Sequence, residues 1–485
     1  MRAMSRGSGP DRDELNAVLR LVASEAERYL AGLDTAPVRM PRADEAAKSL
    51  DGGLPEIGDG AVAALTELLE HADGLIASSG PRYFHFVTGG VSPAALGADL
   101  LASVIDQNNG DWGGAPLTAQ LEVVSIRWLL ELFGLPTGWS GVLTTGATMA
   151  NFVGLAAARR WWGLQHGVDI DEQGFAGLPQ PRVFASGYVH PSDTKALAML
   201  GLGRGGVERL SSDPAGRLDV EALQRELSAL GGEPSIVIAS AGEVNAGDFD
   251  PVDAMADLAH EHGAWLHVDG AFGLFAAVSP RTEHLVDGIV KADSVIADGH
   301  KWLNVPYDCG FAFVRDPTLS GPTFALNAAY LPSPDDPHPG FFSRGPESSR
   351  RARSLAVWAT LRAYGRAGYR QIVERHLDLT QRLAERVDAA PDLERLGDVP
   401  LNIVCFRYRP HGVSEERLDE LNRRVGAAVI EDGRVIFGST VYEGRLAFRP
   451  AIVNWRTREE DVDLIVDVTR EIGARIGSSQ LSADA

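Results

Sequence analysis

Two short apolar runs in this chain each end in a side chain able to do chemistry. Ser294-Val295-Ile296-Ala297 runs into Asp298-Gly299-His300-Lys301-Trp302, and Trp265-Leu266-His267-Val268 runs into Asp269-Gly270-Ala271. A lysine amine condenses with an aldehyde to an imine, and a carboxylate beside a pyridine nitrogen keeps that nitrogen protonated. Two strands that deliver a lysine and an aspartate to the same edge supply the pair that pyridoxal phosphate requires. Taken singly, Lys301 reads as a solvated surface charge and Asp269 as a turn cap. The apolar run before Lys301, with His300 and Trp302 beside it, points instead to burial, where an amine loses proton affinity and imine chemistry opens.

A phosphate group needs donors, and Thr144-Thr145-Gly146-Ala147-Thr148 follows one strand and opens a helix through Asn151, Phe152 and Leu155. Backbone N–H groups at a helix start form an anion site. The same residues also fit an ordinary strand–turn–helix junction capped by Thr148. His190, after Ser186-Gly187-Tyr188-Val189, is placed to stack on a ring or handle protons, or to be an ordinary satisfied histidine. Other chemistries lack their signatures. There is no Gly-x-Ser-x-Gly elbow and no phosphate loop ending in Gly-Lys-Ser/Thr, and His260-Glu261-His262 is too closely spaced for a two-histidine helical zinc site.

The elements that must position these residues follow from periodicity. Strand-like runs at 141–144, 182–186, 235–240, 265–268, 294–297 and 311–315 alternate with helical ones at 148–162, 218–230 and 251–262. Such alternation builds βαβ units, a largely parallel sheet and helices on its faces, with ligands at the carboxyl ends of the strands. Ahead of this body, Leu15, Val18, Leu19, Val22, Tyr29 and Leu30 recur at helical spacing, and a second helix is expected over 60–76. A proline-rich loop at 331–348 is long enough to suspect a mobile segment. A long helix is expected from 350 to about 388, then strands at 401–408, 435–437 and 444–448 with helices near 414–427 and 458–475. The two ends, 1–11 and from 477 onward, are small and polar and read as disordered.

Composition bounds the rest. With 485 residues, 45% hydrophobic and 23% charged, the chain reads as a globular protein of two or three structural units. Its formal net charge of −21 disfavours nucleic acid and anionic membranes as partners. Two cysteines, Cys309 and Cys405, make no disulfide framework and fit a reducing cytoplasm. Neither a secretory leader nor a membrane span is expected, nor a metal site.

With these residues in view, the chain resembles the group II pyridoxal-phosphate-dependent decarboxylases of fold type I, which include aromatic-L-amino-acid decarboxylase, glutamate decarboxylase and bacterial relatives. The resemblance covers roughly residues 80–475. It is carried by His267-Val268-Asp269-Gly270-Ala271 and by His300-Lys301-Trp302-Leu303-Asn304-Val305-Pro306-Tyr307-Asp308-Cys309-Gly310. Asp106-Gln107-Asn108, Ala115-Pro116, residues 145–151, residues 348–355 and Val453-Asn454-Trp455-Arg456-Thr457 support it.

The resemblance implies an α/β fold with a mostly parallel, seven-stranded-type sheet. Its expected divisions are an N-terminal helical arm (1–80), a large cofactor-binding domain (81–375), a small C-terminal α+β domain (376–476) and a disordered tail (477–485). It makes Lys301 the Schiff-base lysine, Asp269 the pyridinium partner, His190 the stacking and catalytic histidine and Ala271 the contact on the opposite face. Gly146, Ala147 and Thr148 would hold the phosphate, with Asp298 and His300 nearby, and Thr88 and Arg449 would meet the substrate. It also implies a homodimer with the arm wrapped on its partner.

Family members carry a loop tyrosine that protonates the substrate carbon once carbon dioxide has left. Residues 338–347 contain no tyrosine. Phe341 or Phe342 lies nearest that place, Tyr330 is too close to the preceding segment, and phenylalanine has no proton to give. The expected reaction is decarboxylation of an L-amino acid to its amine and carbon dioxide through a Lys301 Schiff base. Oxygen-dependent decarboxylation–deamination to an aldehyde, or aminotransferase-type chemistry, are the alternatives on the same cofactor.

Overall fold

The computed structural model describes residues 12–175, 177–326, 338 and 340–481. In chain order the strands are β1 Tyr83–Phe84, β2 Ser140–Thr144, β3 Val183–Ala185, β4 Val207–Arg209, β5 Ser235–Ser240, β6 Ala264–Asp269, β7 Ser294–Asp298 and β8 Gly310–Val314. They continue as β9 Leu393–Arg395, β10 Phe406–Tyr408, β11 Ile436–Phe437, β12 Ser439–Tyr442 and β13 Arg445–Phe448. Seven of them form one sheet in the order β2-β8-β7-β6-β5-β3-β4. All neighbours are parallel except that β8 runs antiparallel to both β2 and β7.

Strands β5, β6 and β7 are buried along their whole length, which is why their sequences read as unbroken apolar runs rather than alternating ones. Strand β4 escapes a periodicity reading because Val207 is the one buried residue of its three. With β8 inverted, β2, β3, β6 and β7 all point their carboxyl ends to one edge. Gly310 opens β8 at that same edge, pairing with both Thr144 and Asp298. A Cβ on Gly310 would lie 2.6 Å from the backbone of Gly146, so only glycine lets β8 start this close to the helix Ala147–Gln165. That helix packs across β6, β7 and β8.

A second, antiparallel sheet, β12-β13-β10-β9, packs with the helices Glu415–Asp432 and Glu459–Leu481. The helix Ser354–Ala389 crosses from one apolar core to the other. Tyr369, Val373 and Leu377 belong to the core of the large sheet, and Leu379, Leu383 and Val387 to that of the small one. Its break at Gly365, with φ 57° and ψ −175°, uses a backbone conformation that glycine adopts without steric cost.

The sequence-based tail begins too early. The terminal helix continues to Leu481, because an established helix adds one hydrogen bond per residue and Gly477-Ser478-Ser479 contains no proline to stop it. The expected ends at 1–11 and 482–485, and residues 331–337 and 339 of the expected loop with Tyr330, lie outside the described residues. The N-terminal helix Arg12–Gly32 buries none of its side chains, and Leu15, Leu19 and Val22 face outward. Among the described residues no helix is long and apolar enough to cross a membrane.

One buried ion pair ties the sheet edge to the helices behind it. Arg350 donates to both oxygens of Glu122 (2.7 and 3.1 Å) and to the carbonyls of Asn109 and Leu143, while Glu122 also accepts from the Leu143 N–H at 3.0 Å. Both side chains are almost wholly buried. Removing one partner leaves the other charge uncompensated, so Glu122→Ala should cost about 3–5 kcal/mol of stability. Chemical denaturation reads this as a lowered midpoint, and an unchanged midpoint would show that the pair contributes nothing net.

Candidate active site

A cavity of about 280 Å³ opens at the shared carboxyl edge, and Gly146, His190, Asp269, Ala271, Lys301 and Tyr307 are among the residues that line it. Lys301 stands in the turn after β7. Its backbone is fixed from two sides: the Gly89 N–H donates to the His300 carbonyl at 3.1 Å, and the Asn304 N–H to the Lys301 carbonyl at 3.2 Å. Behind it Trp302 is fully buried and donates its indole N–H to Nδ1 of His376 at 2.8 Å. The amine itself reaches into the cavity. Nζ lies 3.1 Å from Oδ2 of Asp298 and 5.7 Å from the centre of the Phe272 ring.

Asp298 does more than lie near a phosphate site. Its other oxygen, Oδ1, accepts the Ala147 N–H at 2.6 Å, so one carboxylate joins the lysine to the first turn of the helix Ala147–Gln165. That helix start has Gly146 as its N-cap and no side-chain cap. Ala147, Thr148 and Met149 border the cavity there, so the helix presents its positive end to the space. The alternative, a junction capped by Thr148, does not form: the N-cap residue is Gly146, and the hydroxyl bonding at this junction is Thr144 Oγ1 to the Gly146 carbonyl at 3.1 Å.

At the other wall, Asp269 accepts the Ala271 N–H on Oδ1 (3.0 Å) and the Asn151 side-chain amide on Oδ2 (2.9 Å). Asn151 Nδ2 also donates to Ser192 Oγ at 3.2 Å, and that hydroxyl contacts Nδ1 of His190 at 2.7 Å. The Ser192 N–H donates to the same Nδ1, which leaves Nε2 as the protonated nitrogen of His190. The ring is open to the cavity yet ringed by protein. Burial lowers its pKa against the opposing pull of Asp269, and Lys301 and Arg449 lower it further. His190 is therefore neutral at neutral pH and donates from Nε2.

His300 stacks on Tyr307 with centroids 4.3 Å apart, and burial lowers its pKa, with Asp298 opposing. Thr88 is buried; its hydroxyl contacts the Tyr307 hydroxyl at 3.1 Å. Arg449 is not brought to the cavity wall. It follows β13, its pKa is lowered by burial, and its Nη1 has no hydrogen-bond partner. Phe341 and Phe342 do not occupy the place of a loop residue over the site either. Both are buried, and the Phe341 ring lies between the guanidinium groups of Arg344 and Arg350 at 5.4 and 5.3 Å.

Several cavity residues escaped the sequence reading, among them Tyr188, Glu243, Phe272 and Tyr307. Tyr307 and Phe272 were within reach of it, since each lies a few residues past a reactive side chain already singled out. Tyr188 and Glu243 carry no such signal. The Tyr188 hydroxyl donates to Asp248 at 2.7 Å, and Glu243 accepts backbone N–H groups of its own turn.

The donor set fits pyridoxal phosphate. An amine, a buried carboxylate held by two donors and a helix start whose N-cap residue, Gly146, has no side chain border a single cavity. The comparisons agree. Residues 64–409 match the family model described as the pyridoxal-dependent decarboxylase conserved domain. An aromatic-L-amino-acid decarboxylase of Bacillus atrophaeus is 30% identical over 389 residues, 79% of each chain. An L-2,4-diaminobutyrate decarboxylase of Rhizobium meliloti is 32% identical over 432 residues, 86% of this chain and 83% of that one. The crystal structure of Oryza sativa TDC with PLP and tryptamine superposes with a TM-score of 0.88 at 24% identity, covering 97% of this chain and 99% of that one.

The position of Lys301 depends on Gly89. A Cβ there would sit 1.6 Å from the Lys301 carbonyl oxygen, so Gly89→Ala must displace the lysine backbone. Cofactor binding, followed by the absorbance of the bound pyridoxal group, should weaken by at least about tenfold. Unchanged binding would show that the lysine is placed by other contacts.

Proposed function

The chain belongs to the pyridoxal-dependent decarboxylase family, and we propose that within it Lys301 is the amine and Asp269 the ring partner of a decarboxylase acting on an L-amino acid. The reaction is the pyridoxal-phosphate-dependent decarboxylation of an amino acid to an amine. The observation that carries the residue assignment is that Lys301 and Asp269 border the same cavity as the helix start at Gly146. When bound, pyridoxal phosphate supplies an aldehyde for imine formation and a cationic ring that takes up the electrons of the bond broken at the substrate's α-carbon.

The residues then divide the work. Lys301 offers the amine that holds the cofactor, and Asp298, 3.1 Å away, keeps that amine aimed into the cavity. Gly146, Ala147 and Thr148 would hold the phosphate at the helix start, and Asp269, supported by Asn151 and Ala271, would accept the ring N–H. His190 and Ala271, both on the cavity wall, would contact the ring. His190 Nε2–H and the Tyr307 hydroxyl, the latter paired with Thr88, are proton donors on the cavity wall. Thr88 meets the substrate through this pair. Arg449 lies behind the wall, where its charge adds to burial and Lys301 in lowering the His190 pKa.

Assembly as a homodimer is supported by apolar surface that the single chain leaves open. On the helix Pro93–Ile105, Leu100, Leu101, Val104 and Ile105 are each at least half exposed, and the arm adds Leu15, Leu19 and Val22. Sedimentation should give twice the mass of one chain at micromolar concentration; a monomer would remove this part of the reading. Two buried unpaired thiols, Cys309 and Cys405, support a cytoplasmic setting.

The decisive assay incubates the cofactor-loaded protein with a panel of L-amino acids, in air and under nitrogen, and quantifies carbon dioxide, amine, aldehyde and ammonia. Amine and carbon dioxide in equal amounts, independent of oxygen, are expected. Lys301→Ala should lower turnover by at least about three orders of magnitude. Turnover undiminished in that variant would remove Lys301 from the mechanism.

A further inference from the structure

Asp193 is the third residue of the helix Pro191–Met199, whose N-cap is His190. An acidic residue at this place in a sequence reads as an ordinary helix-start charge. The fold gives it a different setting. The residue is 0% exposed, and neither carboxyl oxygen has a hydrogen-bond partner. The groups facing it are few. Asp269 acts on it through charge and hydrogen bonding, raising its pKa, and the backbone N–H groups of His190 and Asp193 lower it. Nε2 of His267 is 3.9 Å from Oδ1.

Neither neighbouring side chain, His267 nor Asn151, is a free cation or a free donor. The Trp265 indole N–H donates to Ser294 Oγ at 3.0 Å, so that hydroxyl gives its own proton to Nδ1 of His267 at 2.8 Å. The remaining ring proton, on Nε2, goes to Asn151 Oδ1 at 3.0 Å. Burial drives the His267 pKa down to about 4, so the ring is neutral and its proton is committed. Both side-chain hydrogens of Asn151 are committed as well, to Asp269 and Ser192.

Two carboxyl groups in contact without water cannot both be ionised. Asp269 has two donors that favour its charged form, Asn151 and Ala271, whereas Asp193 closes no hydrogen bond with a donor. We propose that Asp193 is held as the neutral carboxylic acid and donates its proton in a hydrogen bond to Asp269, which makes it a positioning residue for the carboxylate that faces the cofactor ring. Desolvation and the adjacent Asp269 both push its pKa well above the ordinary carboxyl range, and only the neighbouring backbone N–H groups pull the other way. Asp269 then takes three donors from the protein. Its orientation is fixed and its charge spread before the ring arrives, so it accepts the ring N–H from a prearranged position.

This inference rests on the assignment of Asp269 to the ring, and its test is chosen to separate the two. Infrared difference spectra of the wild type against Asp193→Asn, recorded on apoprotein and holoprotein at neutral pH, should show the C=O stretch of a buried carboxylic acid in the wild type alone. Absence of that band from the wild type means an ionised Asp193 and overturns the proposal. The apoprotein spectrum is readable even if pyridoxal phosphate does not bind, so a failure of the cofactor assignment would show separately. On the holoprotein, asparagine keeps a neutral donor for Asp269 and should preserve the absorption spectrum and the cofactor Kd to within about threefold. Asp193→Val removes the donor and should weaken cofactor binding by about tenfold and shift the spectrum. Equal behaviour of the two variants would mean that the position matters for packing only. If the valine variant does not fold, the infrared comparison decides alone.

Discussion

The site depends on the two hydrogen bonds of Asp298. Its carboxylate is almost wholly buried at the end of β7, with one oxygen on the Ala147 N–H and the other on the Lys301 amine. An isolated charge in such a place would be costly to desolvate. Here the charge is met by an ammonium and a helix start, and it holds them at a fixed separation. On the proposed reading, the lysine would take the aldehyde and the helix start the phosphate of one small molecule. A single buried side chain sets the distance between them, and the sheet sets the position of that side chain.

Around this link the protein commits nearly every proton it brings to the wall. From Trp265 through Ser294, His267 and Asn151 to Asp269, each donor has one acceptor, and a branch runs from Asn151 through Ser192 to His190. Such a chain fixes tautomers as well as positions. It fixes the tautomer of His267, gives His190 its proton on Nε2, and anchors both oxygens of Asp269 at the cavity wall.

How much of this was legible in the sequence follows from the kind of signal each residue leaves. The buried parallel strands were readable because a strand covered on both faces must be apolar throughout, and Lys301, Asp269 and Gly146 stood out as reactive or flexible residues at the ends of such runs. Strand β4 at the sheet edge has too little apolar content to register, and the terminal helix outran a polar stretch that contained nothing to stop it. Residues that act by converging from distant segments were the least visible. Asn151 reads as one more polar helix position, and Asp193 as a cap. Tyr307 becomes a site residue only once the fold brings Thr88 against it. Arg449 and Phe341 were placed by resemblance, and the packing of their own segments takes them away from the cavity wall.

The helix Ser354–Ala389 passes from the core of the large sheet to that of the small one within two residues, Leu377 on one side and Leu379 on the other. The boundary between the two cores therefore falls inside a rigid rod, where no linker exists to cut. Neither half can be excised with its own hydrophobic face complete, and loosening one core frays the rod on which the other is built. Under heat, denaturant or a protease, the large sheet and the small antiparallel sheet are therefore expected to give way together.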